Sequence, residues 1–119
     1  MDIAQYKPDP HFAKAIDLWH DKQFLKAHIE FSIVPDNAGE QRAMAAYYNA
    51  RCLEILKQTG EAEVWYEGAL ERDPQLARAY LGLARLQVAR GDMVKGFTNQ
   101  MRAYELDPRL RDVDYALGD

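Results

Sequence analysis

Apolar residues recur along most of the chain at steps of three and four, which is the spacing of a helix with one buried face. Around residue 80, the residues at these steps are Tyr80, Leu83, Ala84 and Val88, with Leu81 beside them. No long stretch alternates apolar and polar residues, and no Asn-Gly or Asp-Gly pair predicts a hairpin. The pattern therefore predicts an all-α fold.

Helix-breaking residues divide the pattern into seven segments. The Asp-Pro pairs at 9–10, 73–74 and 107–108 predict helix starts, with Asp as the N-cap and Pro in the first helical position. Three further N-cap candidates are Asp21, Thr59 and Asp92. Asn37 and Glu40 have the spacing of a capping box. The predicted helices span residues 10–20, 22–34, 38–57, 61–72, 75–90, 93–106 and 109–116.

The strongest signal in the sequence is internal repetition. Residues 69–76 (ALERDPQL) and 103–110 (AYELDPRL) share five of eight positions at an offset of 34. The same offset relates Ala62 to Gly96, and an offset of 35 relates Ala27 to Ala62. A helix pair that recurs three times predicts a stack in which each pair buries the apolar face of its neighbour.

A helix–turn–helix unit of this length resembles the tetratricopeptide repeat family. The third unit, residues 77–110, matches the family pattern best. Its matching positions are an early aromatic, a Leu–small pair, a Gly-Asp turn, two small residues and a closing Pro: Tyr80, Leu83, Ala84, Gly91, Asp92, Gly96, Ala103 and Pro108. These motifs specify a fold well and a function poorly.

The other two units match the family at fewer positions. The second spans residues 43–76, and the first spans about 8–41, where Pro35 shortens the second helix. The resemblance implies one domain over residues 1–119, an α-solenoid of three helix pairs with a short capping helix at 109–117. Small residues on facing helices favour the close packing that this arrangement needs; they are Ala15, Ala50 and Ala84 on the first helices, and Ala27, Ala62 and Gly96 on the second.

The third predicted helix has two possible registers against the family pattern. In the ungapped register, Asn49 takes a position where the family has a buried Leu. A shift of one residue would place Asn49 in the groove and Arg51 at a position that requires a small residue. We favour the ungapped register.

Composition and charge exclude several classes of protein. The 119 residues carry 15 Lys and Arg against 19 Asp and Glu, and this net charge of −4 argues against nucleic-acid binding. One cysteine excludes a disulfide framework and a Cys-ligated zinc site. No apolar run has the length of a membrane span, and the first residues do not resemble a signal peptide. We expect a soluble, cytoplasmic protein without membrane insertion.

No motif indicates catalysis or metal binding, so we expect neither enzymatic activity nor a cofactor. The chain lacks a glycine-rich phosphate loop and a nucleophile motif. We predict that Cys52 is a buried structural thiol. His20 lies between Asp17 and Asp21, but three or four converging ligands are needed for a metal site and the sequence offers no such set.

The resemblance places a binding surface on the concave side of the array, which the first helix of each pair lines. The residues that it implies there are Phe12, Ile16, Tyr47, Arg51, Arg78, Leu81 and Arg85. Arg51 and Arg85 lie 34 residues apart at equivalent positions, so stacking would align two guanidinium groups that can bind carboxylates. Alternatively, these arginines pair with Glu54 or other acids on a solvated face. We expect the surface to bind an acidic, partly apolar peptide or helix of a partner protein.

One subclass of the family binds the C-terminal carboxylate of chaperones through Lys, Asn and Arg. Here Phe12, Ile16 and Gly82 occupy positions of that clamp, and only Arg78 fits it. We therefore do not expect a reader of chaperone C-termini.

Three other functions remain open from the sequence. The chain can be a homo-oligomerising scaffold, for example a homodimer that buries Trp19 or Trp65. It can also act like the bacterial secretion chaperones, some of which resemble a three-repeat array. Those chaperones usually carry extra N-terminal dimerisation structure, and the few residues before the first helix here are too few to supply it. It can also be the regulatory repeat module of a larger enzyme.

Overall fold

The computed structural model describes residues 9–35 and 38–111, and these residues form α-helices and no strand. The six helices are α1 (Pro10–His20), α2 (Phe24–Ser32), α3 (Glu40–Ile55), α4 (Thr59–Arg72), α5 (Ala77–Ala89) and α6 (Met93–Leu106). Each helix packs against its neighbours in the sequence. The protein is therefore all-α, as the sequence predicts, and its packing is consistent with helical repeats.

The core lies between consecutive helices. Its largest fully buried side chains are Tyr66, Phe31 and Leu53. The small residues expected at the helix contacts are buried, and at Gly96 a Cβ would lie 2.5 Å from a methyl carbon of Val88. Close packing of α5 and α6 therefore requires glycine at this position.

The turns after α1, α3 and α5 share one geometry. Each contains a residue with positive φ, namely Lys22 (60°), Lys57 (67°) and Gly91 (94°), and the amide after it bonds a carbonyl five residues earlier. This pattern is a Schellman motif, in which a left-handed residue satisfies the last carbonyls of the helix. The three turns recur at offsets of 35 and 34, as the sequence repeat predicts.

The shared turn explains why two predicted N-caps are wrong. In both turns the residue directly after the left-handed lysine is the N-cap, so α2 begins after Gln23, later than a cap at Asp21 predicts, and α4 begins after Gln58, one residue earlier than a cap at Thr59 predicts. Asp21 is instead the C-cap of α1, and Thr59 is the first residue of α4. The predicted cap at Asp92 is confirmed, since its carboxylate accepts the amide of Lys95 at 3.3 Å.

The Asp-Pro pairs behave differently from one another. Asp9 caps α1 as predicted, and its carboxylate accepts two backbone amides at 2.9 and 3.1 Å. The prediction for Asp73-Pro74 is wrong, because the Asp73 carboxylate accepts the amide of Gln75 and holds a turn, so α5 begins only at Ala77. Asp107 makes the same turn with Arg109. An Asp carboxylate that bonds the amide two residues on forms a turn as readily as it caps a helix.

Two predictions fall partly outside the described residues. Asn37, the first residue of the expected capping box, is not among the described residues. The N-cap of α3 is Gly39, and no side-chain hydrogen bond caps this helix. Of the expected capping helix, Leu110 and Arg111 are helical, and the remainder lies outside. In the part of the chain that is described, no helix combines the length and apolarity needed to cross a membrane.

Candidate functional site

A groove with a volume of about 710 Å³ runs along the C-terminal parts of α3 and α5 and reaches α6. Its charged lining residues are Arg51, Glu54, Lys57 and Arg85. Its apolar lining includes Ile55, Leu81, Val88 and Phe97. Three cations against one carboxylate give the lining a formal charge of +2, in a chain whose net charge is −4. A positively charged lining favours the approach of acidic groups over basic ones.

Arg51 projects from α3 and is held by neutral side chains. Its guanidinium donates to the hydroxyl oxygen of Tyr47, one turn earlier, at 3.1 Å. It also lies over the ring of Trp19, with the guanidinium carbon 5.6 Å from the ring centroid, which is a cation–π contact. Among the described residues, no carboxylate forms an ion pair with it. Arg51 is therefore oriented in the groove, and no ion pair with a described residue compensates its charge.

Glu54, one turn after Arg51, joins α3 to α4 and α5. The Nε and Nη2 of Arg85 on α5 each donate to one Glu54 oxygen at 3.0 Å, which is a bidentate pair. The Tyr66 hydroxyl on α4 donates to the same carboxylate at 2.7 Å. Since all three side chains are at least partly buried, this network fixes the relative positions of α3, α4 and α5.

The network sets the ionisation of its members. Burial alone raises the pKa of Glu54, but the hydrogen bonds and charge of Arg85 outweigh it and hold this pKa below its ordinary value of 4.5. Burial opposes the charge of Arg85, yet Glu54 raises the pKa of Arg85 above its ordinary value. Burial, followed by the charge of Glu54, raises the pKa of Tyr66. At neutral pH the network is therefore an ion pair with a neutral tyrosine donor.

The two arginines of the predicted row consequently differ. Arg85 follows the alternative considered from the sequence, because its guanidinium is bonded to Glu54. Arg51 retains a position in which it can bind an external carboxylate. The difference arises because Arg85 meets Glu54 of the preceding first helix, whereas the residue equivalent to Glu54 on α1, at the offset of 35, is Trp19, which offers Arg51 a ring face and no carboxylate.

The structure brings only part of the predicted surface together. Arg51, Leu81 and Arg85 line the groove, and Tyr47 supports Arg51 from beneath. Tyr47 and Leu81 are only 4% and 2% exposed, so they leave little apolar surface for a partner. With Tyr47, four of the seven predicted residues lie outside the lining of the groove. Phe12 and Ile16 pack against the core cluster that contains Ala15, Ala27 and Phe31, and Arg78 is exposed.

The accessible apolar surface of the groove comes from residues that the sequence analysis missed. Ile55 is 41% exposed and Phe97 is 54% exposed. Phe97 was overlooked because it belongs to a second helix, and the resemblance assigns the groove to first helices. One signal was available, since the equivalent residues in the first two units, His28 and Glu63, are polar.

The register of α3 is the one that the ungapped alignment predicts. Asn49 is fully buried, and its Oδ1 lies 2.5 Å from Nδ1 of His28 on α2. Within the described residues, its Nδ2 has no hydrogen-bond partner. A buried polar side chain thus replaces the expected Leu, and one hydrogen bond links α2 to α3.

Cys52 lies in the protein core, and its burial determines the reactivity of its thiol. Cys52 is fully buried, as predicted, and burial raises its pKa to about 12. A thiol with this pKa is protonated at neutral pH and therefore a poor nucleophile. In residues 9–35 and 38–111, no group of three or more His, Cys, Asp or Glu side chains converges to hold a metal ion.

The chain matches no protein-family model and no curated protein sequence. Its classification therefore rests on its own geometry. In the described residues, six helices each pack on their sequence neighbours and three of the turns between them share one geometry, so the protein is all-α with packing consistent with helical repeats.

Proposed function

We propose that the chain is a non-enzymatic interaction module that binds an acidic, partly apolar segment of a partner protein in the groove between α3 and α5. The state of Arg51 supports this proposal most. Tyr47 and Trp19 orient its guanidinium, and no carboxylate of the described residues forms an ion pair with it. An oriented guanidinium loses little conformational freedom when it binds a carboxylate.

The lining of the groove supports the chemistry of the proposed segment. Lys57 and Arg51 supply the positive charge of the lining that remains after Arg85 pairs with Glu54, and the charge of Arg51 also helps to lower the pKa of Glu54. Ile55 and Phe97 add exposed apolar surface beside these charges. A segment that carries Asp or Glu next to large apolar residues would match both features.

We also propose that the three helix pairs are tetratricopeptide-like repeats of a cytoplasmic protein. The recurring Schellman turns and the buried small residues Ala27, Ala62 and Gly96 support the repeat. The single, buried cysteine favours a reducing compartment, because the chain has no second cysteine with which to form a disulfide.

The proposal is tested by capture of partners from native lysate, with mass spectrometry as the readout. The wild type is compared with Arg51→Glu and with the matched control Arg102→Glu, which makes the same charge change on α6, outside the lining of the groove. We expect a set of proteins that the wild type and the control retain and that Arg51→Glu loses. Circular dichroism checks that all three chains are equally helical.

If the wild type and both variants retain the same set of proteins, the assignment of the groove is refuted. Loss with both variants would show that capture depends on net charge alone.

A further inference from the structure

Residues 112–119, which follow the described part of the chain, have the composition that the groove favours. Their sequence is DVDYALGD, which has three Asp, no Lys or Arg, and one Val, one Tyr and one Leu between the acids. The groove lining combines a formal charge of +2 with the exposed apolar side chains of Ile55 and Phe97. The chain therefore contains a segment with the chemistry that we propose for a partner.

The described residues end beside the groove. The Arg111 guanidinium lies over the Tyr104 ring, with its central carbon 5.3 Å from the ring centroid. The Tyr104 hydroxyl accepts a hydrogen bond of 3.0 Å from Nε2 of Gln100, which lines the groove. Leu110 is buried in the core cluster that also contains Leu81, another lining residue. The next residues of the chain therefore start at the groove wall that α5 and α6 form.

The segment is long enough to cross the groove. Phe97 lies seven residues before Tyr104 on α6, which is about 10 Å along the helix. Across the groove, Arg85 of α5 bonds Glu54 of α3 directly, so these two walls are only a pair of side chains apart. Eight extended residues span up to about 26–29 Å. Residues 112–119 can therefore reach from α6 to the α3 wall.

The order of residues in the segment matches the two kinds of lining. Within residues 112–115, Asp alternates with Val and Tyr. In extended backbone, alternate side chains point in opposite directions, so the acids share one side and the apolar residues the other. The acidic side can meet Arg51, with which no carboxylate of the described residues forms an ion pair, and the exposed Lys57. The apolar side can meet the exposed apolar lining.

We propose that residues 112–119 bind in the groove of their own chain and compete there with the partner segment. This inference rests on the proposed function, because it assigns an internal ligand to the same site. A tether of a few residues gives a segment an effective concentration of about 1 mM. With a dissociation constant of about 100 μM for the untethered segment, the groove is about nine-tenths occupied and a partner binds about tenfold more weakly. The wild type then retains only partners that bind more tightly than its own segment.

A capping helix over residues 109–117 is the alternative position for the segment. By the repeat, such a helix would pack on α6 as α3 packs on α2 and as α5 packs on α4. It would lie at the end of the stack, away from α3, and the positive lining of the groove would receive no acid from it. Contact with α3 therefore separates the two positions.

Fluorescence anisotropy on the full chain tests the inference with a fluorescein-labelled peptide of sequence DVDYALGD as the probe. The wild type is compared with an Asn variant and with a charge-matched control, whose substitutions are Asp112→Asn, Asp114→Asn and Asp119→Asn in the first and Glu61→Gln, Glu67→Gln and Glu71→Gln at exposed positions of α4 in the second. We expect the Asn variant to bind the probe about 5- to 20-fold more tightly than the wild type, and the control to bind it like the wild type. Adding Arg51→Glu to the Asn variant should abolish this binding.

The outcomes separate this inference from the proposed function. Equal affinity of the wild type and the Asn variant, with loss on Arg51→Glu, would overturn the inference and leave the proposed function intact. An equal gain in the control, or no binding to any chain, would also overturn the inference. Binding that Arg51→Glu does not reduce would refute the groove as the site for both.

Light scattering shows whether the segment binds within its own chain. The wild type should have a mass of 13.7 kDa at all concentrations used. A mass that rises with concentration, and that the Asn variant restores to this value, would show that the segment enters the groove of another copy. That result would overturn the intramolecular assignment.

Cross-linking locates the segment directly. Leu117→Cys is combined with Ile55→Cys on the α3 wall or, as the control, with Val64→Cys at an exposed position of α4 outside the lining. Mild oxidation should form the intrachain disulfide faster with Ile55→Cys than with Val64→Cys. The native Cys52 is buried and should not contribute. Equal rates for the two pairs would overturn the position in the groove.

Discussion

Replacement of Glu54 by Gln tests the network that organises the groove. Gln keeps the shape of the side chain but removes its charge, so one of the two bonds from Arg85 loses its acceptor. The Arg85 and Glu54 side chains are only 24% and 23% exposed, so water replaces the lost partner poorly. Hydrogen bonds to charged groups contribute about 1.5–3 kcal/mol, and we expect Glu54→Gln to lower the free energy of unfolding by roughly 1–3 kcal/mol at pH 7.

This loss should depend on pH in a defined direction. The folded-state pKa of Glu54 lies below its ordinary value of 4.5. Its stabilising contribution is therefore fully present above pH 4.5 and is lost as the pH falls through the lowered folded-state value. In urea unfolding, the difference between the wild type and Glu54→Gln should be largest at pH 7 and shrink in strong acid. Glu67→Gln, at an exposed position in the middle of α4, is the matched control and should change little at either pH.

The same substitution should strengthen the binding of acidic segments. Loss of the Glu54 charge raises the formal charge of the groove lining from +2 to +3 and leaves Arg85 without its carboxylate. We expect a gain in affinity of about two- to tenfold for an acidic peptide that the wild type binds, measured by fluorescence anisotropy. A stability difference that is the same at pH 7 and in strong acid, or an unchanged or weaker affinity, would refute this reasoning.

Two further predictions concern the core. At Gly82, a new Cβ would overlap the ring of Tyr66, so Gly82→Ala should lower the free energy of unfolding by about 1–3 kcal/mol. At Gly68 a new Cβ would meet nothing within 4 Å, so Gly68→Ala should raise the free energy of unfolding by up to about 1 kcal/mol through helix propensity. If urea unfolding shows that both variants are stabilised or that both are destabilised, this packing is contradicted. Cys52, with its pKa raised to about 12, should react with a thiol reagent at pH 8 at least about 100-fold more slowly in the native than in the unfolded chain, and equal rates would contradict its burial.

Much of the fold could be predicted from the sequence because periodicity and small residues are local signals. The spacing of Ala27, Ala62 and Gly96 reflects positions where helices approach closely, and all three are buried. The helix starts at Asp21 and Asp73 were wrong because turn geometry decides them. A left-handed lysine after Asp21, and an Asp turn at Asp73, each delay the next helix, and the N-cap pattern does not distinguish these cases.

The groove was less predictable because its properties depend on contacts between distant residues. The positions of Arg51 and Arg85 are equivalent in the repeat, so the repeat pattern alone predicts the same role for both. Only the packing of α3 against α5 shows that the Glu54 carboxylate is bonded to Arg85. The exposure of Phe97 likewise depends on which helix follows it, and a helical period alone does not contain that information.

The most direct test of the account is a selection of random peptides displayed on phage, carried out in parallel on the wild type, Arg51→Glu and Arg102→Glu. The account predicts that the wild type and Arg102→Glu enrich peptides that combine Asp or Glu with large apolar residues. It predicts that Arg51→Glu, which places a carboxylate between Tyr47 and Trp19, does not enrich them. Enrichment of the same acidic peptides by Arg51→Glu, or of basic peptides by the wild type, would contradict the assignment of the groove.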